Sequence, residues 1–126
     1  MSQNRILVVE DNPKNLKLVR DVLTHSGYEV IEATSGEDGV RLAHEESPDL
    51  ILMDLQLPGI DGSEALRQIR EADEGQVPVV AVTAFAMNDD RSRALESGFD
   101  GYVEKPISVR ALPQLVRDFL RLGGTR

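Results

Sequence analysis

The 126-residue chain contains no cysteine, so disulfides and cysteine-ligated zinc sites are excluded. That is compatible with a reducing compartment, and a cytoplasmic location is expected. Nowhere does an apolar run approach the roughly 20 residues that a membrane helix needs. The N-terminal Met1-Ser2-Gln3-Asn4-Arg5 has no signal-peptide core, and no membrane insertion is expected. Basic residues are few, with 14 Lys and Arg against 22 Asp and Glu, for a net charge of −8. A field of that sign repels nucleic acid and anionic lipid, so direct nucleic-acid binding is not expected. Internal repeats, low-complexity tracts and linkers are also missing, and the length suits one domain over residues 1–126. The last five residues, 122–126, read as a flexible tail.

What is present is an alternation of short apolar runs with longer amphipathic segments, repeated five times. Ile6-Leu7-Val8-Val9, Leu50-Ile51-Leu52-Met53 and Val79-Val80-Ala81-Val82 are continuous, the pattern of central parallel strands buried on both faces. Val30-Ile31 and Tyr102-Val103 are shorter and more mixed, as edge strands are. Apolar residues three or four apart mark helical segments around Leu16, Val19 and Leu23, then Val40 and Ala43, Leu66 and Ile69, and Leu112, Leu115, Val116 and Phe119. Asn12-Pro13 predicts a helix start, with Asn as cap and Pro at the first helical position. Gly27, Pro48 and Gly98 punctuate segment ends. Pro113 conflicts with a helix capped by Ser108, because it would remove a hydrogen bond about one turn in. Either that helix starts late or its first turn is distorted. Five β-α units with right-handed crossovers predict a three-layer α/β/α sandwich around a five-stranded parallel sheet.

In such a sheet, ligands bind beyond the carboxyl ends of the strands. The residues arriving there are Glu10-Asp11 after the first strand, Asp54 after the third, Thr83 after the fourth and Lys105-Pro106 after the fifth. Two carboxylates about 4 Å apart repel by roughly 4 kcal/mol at an effective dielectric of 20, so this cluster calls for a cation or a bound proton. Hard oxygen donors with room for water and phosphate suit Mg²⁺. A threonine hydroxyl and a lysine charge suit a phosphoryl group, and a carboxylate can itself accept one. The set reads as metal-assisted phosphoryl transfer onto Asp54.

The ordered set Val9-Glu10-Asp11-Asn12, Leu52-Met53-Asp54, Val82-Thr83-Ala84 and Lys105-Pro106 resembles bacterial response-regulator receiver domains along essentially the whole chain. Residues 50–56, 78–87 and 105–109 resemble in particular the DivK group of single-domain regulators. The resemblance implies the flavodoxin-like receiver fold with strand order 2-1-3-4-5. It implies Asp54 as phosphoacceptor, and Mg²⁺ held by Asp11, by Asp54, by Glu10 largely through water, and by the backbone carbonyl of Gln56. It further implies Thr83 and Lys105 on the phosphoryl group, Thr83 and Tyr102 as a paired switch, and a cis bond at Pro106. The donor would be a sensor histidine kinase or histidine phosphotransferase. With no output domain after residue 126, another protein is expected to read the phosphorylated state at the fourth helix, fifth strand and fifth helix. The chain would be no enzyme beyond its own phosphorylation and dephosphorylation.

Each residue also has a structural reading. Asp54 alone could cap a helix, Glu10-Asp11 could favour a helix dipole, and Lys105 could be a solvated surface lysine. His25 and His44 have no metal-ligand partner at suitable spacing and read as surface residues. Phosphohydrolases of the haloacid-dehalogenase type need a second Asp two residues after the nucleophile, where this chain has Gln56. A flavodoxin-like cofactor binder would not place the carboxylates of Glu10-Asp11-Asn12-Pro13 against a phosphate. Leu18 lies about 200° from the buried stripe of its helix. With Val22 and Ile107 it is expected to help dock the phosphodonor.

Overall fold

All five apolar runs are strands in the computed structural model, which describes residues 4–57, 59–73, 77–83, 98–105 and 107–124. The strands are β1 (Arg5–Val9), β2 (Glu29–Ala33), β3 (Leu50–Asp54), β4 (Val79–Thr83) and β5 (Gly101–Glu104). They form one parallel sheet in the order β2-β1-β3-β4-β5, as the resemblance implies. β3 and β4 are buried at every position. The edge strands β2 and β5 keep partly exposed residues.

The described helices are α1 (Pro13–His25), α2 (Gly36–Glu46), α3 (Gly62–Asp73) and the C-terminal α4 (Leu112–Gly124). The expected fourth helix, between the fourth and fifth strands, lies outside the described residues, as does Ala84 of the Val82-Thr83-Ala84 motif. The pleat divides the sheet's side chains between two cores. On one face Ile6, Val8, Leu52 and Val80 pack with Leu16, Val19 and Leu23 of α1 and with Leu112 and Val116 of α4. On the other, Leu7, Val9, Ile51 and Met53 pack with Val40 of α2 and with Leu66 and Ile69 of α3.

Local chemistry sets the helix ends. Asn12 accepts hydrogen bonds at Oδ1 from the N–H groups of Lys14 and Asn15, at 2.9 and 3.3 Å, and Pro13 opens α1. Ser35 caps α2 by accepting from the Asp38 N–H. α2 ends at Ser47, held at φ 47°, a left-handed conformation that non-glycine residues adopt singly and at a cost. The conflict at Pro113 resolves as a late start. Ser108 holds a separate turn by accepting from the Ala111 N–H, and α4 begins at Leu112, with Pro113 in its first turn where no intrahelical donor is lost. α4 runs to Gly124, because the packed stripe of Leu112, Val116, Phe119 and Leu120 carries the helix on and glycine is tolerated at its C-terminal end. Thr125 and Arg126 lie outside the described residues.

Two clasps tie the strand starts together, at the end of the sheet away from Asp54. The Arg5 guanidinium bonds the Glu46 carbonyl and carboxylate and lies 3.4 Å from Glu29, while the Arg5 backbone N–H donates to Asp49 Oδ2 at 2.7 Å. The Arg70 guanidinium reaches Asp100 at 2.8 Å and the Val77 carbonyl at 2.6 Å, and Asp100 also accepts from the Val79 N–H.

At the opposite end, the start of α3 abuts the chain that leaves β3. A Cβ on Gly62 would stand 2.8 Å from the Asp54 carbonyl oxygen and 2.9 Å from the Leu55 Cα. Both are backbone atoms, so a side chain there must move the segment that carries Asp54. Alanine gains at most about 1 kcal/mol in helix propensity over glycine, whereas overpacking costs about 1–3 kcal/mol. Gly62→Ala is therefore expected to lose about 1–2 kcal/mol in urea unfolding. Unchanged or raised stability would show that the contact is slack.

Candidate functional site

Parallel strands all present their carboxyl ends at one edge of the sheet, and there the chain gathers its few buried polar side chains. Among the described residues the buried polar and charged ones are Glu10, Asp54 and Thr83, at 4%, 2% and 2% exposure. Asp54 and Thr83 are the last residues of β3 and β4, and Glu10 follows β1, its N–H donating to the Ala33 carbonyl at 2.9 Å. Apolar side chains floor the site: Val8, Val19, Leu52, Val82 and Ile107 line the pocket beneath Glu10 and Asp54.

Lys105 closes the site. Its N–H donates to the Thr83 carbonyl at 2.8 Å, which continues the β4–β5 ladder past the end of β5. Its Nζ lies 2.8 Å from Asp54 Oδ2 and 2.9 Å from Glu10 Oε1. The other carboxylate oxygens are held by backbone donors. The Gln56 N–H donates to Asp54 Oδ1 at 2.9 Å, and the Asn12 N–H to Glu10 Oε2 at 3.1 Å. Asp11 is exposed and makes no hydrogen bond among the described residues. Glu10, Asp11 and Asp54 can each bring a carboxylate oxygen within 4.8 Å of the others.

The electrostatics follow from this packing. Burial pushes the Glu10 carboxyl above the ordinary glutamate range and the neighbouring Asp54 adds to the rise, against the opposing pull of Lys105 and the Asn12 N–H. Burial alone would lower the Lys105 pKa, but its bonds to Asp54 and Glu10 outweigh that and hold it raised. The three carboxylates and one ammonium leave the site with a net −2 when all are ionised. An all-oxygen donor set with that excess of negative charge fits a hard divalent cation. Asp11, with its oxygens uncommitted, is placed to ligate directly, whereas both oxygens of Glu10 are already engaged.

The five residues expected from strand-end positions thus converge: Glu10, Asp11, Asp54, Thr83 and Lys105. Gln56 is exposed and meets Asp54 through its N–H. Tyr102 is half-buried on β5 with its hydroxyl shielded from solvent. Pro106 lies outside the described residues. His25 and His44 are exposed. Leu18 is 41% exposed and shares a groove with Asn15, Val19, Lys105 and Ile107. Val22 instead packs half-buried on the core beneath α1. Two contacts were not foreseen: the bond from Lys105 to Glu10 and the Gln56 N–H on Asp54. The second could have been anticipated from the need to satisfy a buried carboxylate at a strand end.

Residues 6–117 match the family model of the response regulator receiver domain. The chain belongs to the response regulator receiver family. This receiver is 44% identical to the polar-differentiation response regulator DivK of Brucella anthropi over 116 residues, covering 91% of this chain and 94% of that protein. DivK of Brucella ovis is equally similar. Among solved structures, the receiver is similar to the receiver domain of a sensor histidine kinase from Pseudomonas aeruginosa. They share 36% identity with a TM-score of 0.87, over 95% of this chain and 99% of that one, and that structure has a magnesium ion coordinated in its active-site cleft. It also resembles a CheY-like receiver from Methanospirillum hungatei, with 29% identity and a TM-score of 0.90 over 98% of each chain. The receiver is of the kind that works in phosphorylation-dependent two-component signalling. No helix among its described residues is long and apolar enough to cross a membrane.

The raised Glu10 pKa has a signed consequence for stability. An acid whose folded pKa exceeds its unfolded value destabilises the fold once ionised. The penalty is absent below the unfolded value, about 4.5, and complete above the folded one. In metal-free buffer, Glu10→Gln is expected to be more stable than the parent at neutral pH, with the gap closing as pH falls through that window. Chemical denaturation from pH 4 to 8 in a chelator measures it. A parent more stable than the variant at pH 7 would mean that pairing with Lys105 outweighs burial.

Proposed function

We propose that Asp54 accepts a phosphoryl group from a phosphohistidine on a sensor kinase or histidine phosphotransferase, and that the modified receiver signals by altered protein binding. The observation that carries this reading is the buried Asp54 carboxylate, fixed by the Gln56 N–H on one oxygen and Lys105 on the other, with two further carboxylates beside it. A structural aspartate in a strand-end cap has no use for that company.

In the proposed step an Asp54 oxygen forms a new P–O bond while the P–N bond to the donor histidine breaks. The imidazole nitrogen leaves with the electron pair and takes a proton from solvent. The chain contributes positioning and charge. The Gln56 N–H and Lys105 fix the acceptor's orientation before attack. Lys105 then stays with the phosphoryl charge, and the Thr83 hydroxyl donates to a phosphoryl oxygen. Asp11 and Asp54, with Glu10 through water and the Gln56 carbonyl, would hold Mg²⁺, which supplies neutralisation of charge on the phosphoryl oxygens. Attached phosphate adds about −1.5 to −2 charges, drawing Thr83 inward and biasing Tyr102 toward its inward position. The downstream target reads that change on the face of β5 and the C-terminal helix α4, together with the helix expected from the sequence between β4 and β5, which lies outside the described residues. The exposed amide at Gln56, where a phosphohydrolase carries an acid, makes the chain a switch and no enzyme on outside substrates. The reading places it in the cytoplasm.

Incubation with acetyl phosphate and Mg²⁺ is expected to yield one acid-stable, base-labile phosphoryl adduct, lost in Asp54→Asn and suppressed by a chelator. Full labelling of Asp54→Asn, or labelling indifferent to chelation, would overturn the reading.

A further inference from the structure

Two segments bring the metal-binding oxygens together, and one helix bears on both. Glu10 and Asp11 follow β1, whereas Asp54 ends β3 and Gln56 lies in the loop that joins β3 to α3. Each segment is fixed at its root. The Glu10 N–H donates to the Ala33 carbonyl and the Leu55 N–H to the Val82 carbonyl, both at 2.9 Å. The loop is held again at its exit, where Gly62 lies against the Asp54 carbonyl and the Leu55 Cα. Between those points Gly59 and Ile60 rest on the first turn of α2.

That seat is close-fitting. Gly36 and Gly39 are both buried, and their spacing of three puts them on one face of α2. A Cβ on Gly36 would stand 2.6 Å from Ile60 Cγ1 and 2.7 Å from the Ile60 carbonyl oxygen. A Cβ on Gly39 would stand 2.8 Å from Cγ2 of Val9, the residue before Glu10. Glu37 lays its carboxylate over Gly59, where a Cβ would meet Oε2 at 2.5 Å, and Gly59 itself is at φ 75°. α2 therefore presses on β1 one residue before Glu10-Asp11, and on the β3–α3 loop four residues after Gln56.

We infer that α2 is a spacer for the metal site, its Gly36/Gly39 face setting how far the Gln56 loop stands from the carboxylates that follow β1. This rests on the Mg²⁺ ligands proposed above and is independent of whether Asp54 takes a phosphoryl group. Mg²⁺ demands near-ideal placement of its oxygens. Groups that orient its ligands from behind therefore change its affinity about tenfold or more when altered. Gly36, Gly39 and Ile60 are positioning residues in this sense, and none of them supplies a ligand.

Calorimetric titration with Mg²⁺ alone, in the absence of any phosphodonor, reads the affinity directly. The rate of acetyl phosphate labelling against Mg²⁺ concentration reads its use. Gly36→Ala crowds the Ile60 backbone and is expected to weaken Mg²⁺ binding about tenfold, with a labelling rate at saturating Mg²⁺ close to the parent's. Ile60→Ala withdraws the wedge instead of crowding it, and should weaken binding in the same direction. Gly39→Ala should do likewise. Gly39→Ala/Val9→Ala reopens the space and should recover the parent affinity, although the lost Val9 packing leaves it less stable in urea. Val116→Ala, a core truncation on the opposite face of the sheet, should lose stability and keep its affinity. Parent-like affinity in Gly36→Ala and Ile60→Ala overturns the spacer. So does failure of the double variant to recover, or an equal weakening in Val116→Ala, because lost stability would then account for the effect. A parent that binds no Mg²⁺ removes the metal site and the spacer with it. A parent that binds Mg²⁺ but takes no label at Asp54 removes the acceptor role alone, and the calorimetric comparison still decides the spacer.

Discussion

One ammonium group stands between two buried carboxylates, and the edge of the sheet is arranged around it. Glu10 and Asp54 arise on adjacent strands and are almost fully buried, so their mutual repulsion is weakly screened. Lys105 reaches both at under 3 Å. Loss of Lys105 would leave both carboxylates buried without a counter-charge, which is strongly destabilising. Lys105 thus supplies the counter-charge that two neighbouring buried carboxylates require.

The constraint extends into the fold. Lys105 can reach Glu10 only because β5, β4, β3 and β1 lie side by side in parallel, with every carboxyl end at the same edge. The Thr83 carbonyl fixes the Lys105 backbone, and Gly62 lets α3 close against the backbone of Asp54 and Leu55. The apolar floor of Val8, Val19, Leu52, Val82 and Ile107 keeps the dielectric low. That same floor makes charge placement at the site strong in effect and raises the Glu10 pKa. The two arginine clasps sit at the other end, so the rigid ties and the chemically responsive groups are separated along the strands.

Much of this was legible before the structure, for definite reasons. Short continuous apolar runs separated by amphipathic helical segments are the pattern of parallel strands buried on both faces, so β1, β3 and β4 were readable, and Asn12-Pro13 marked the start of α1 by its own chemistry. The site followed because strand ends are where such a sheet presents side chains. Contacts set by register across several strands were not legible. The bond from Lys105 to Glu10 joins residues 95 positions apart, and no local pattern encodes it. Ser47 was also missed, since nothing in serine itself signals a left-handed helix end.

The central claim is that the group held by Lys105 and the Gln56 N–H is the one that becomes phosphorylated. Borohydride reduction converts an aspartyl phosphate to homoserine in place, so reduction of the acetyl phosphate-treated receiver followed by peptide mass spectrometry locates the acceptor directly. The account predicts homoserine at position 54 and unmodified aspartate at positions 11 and 61. Homoserine at either of those positions, with Asp54 intact, would contradict it.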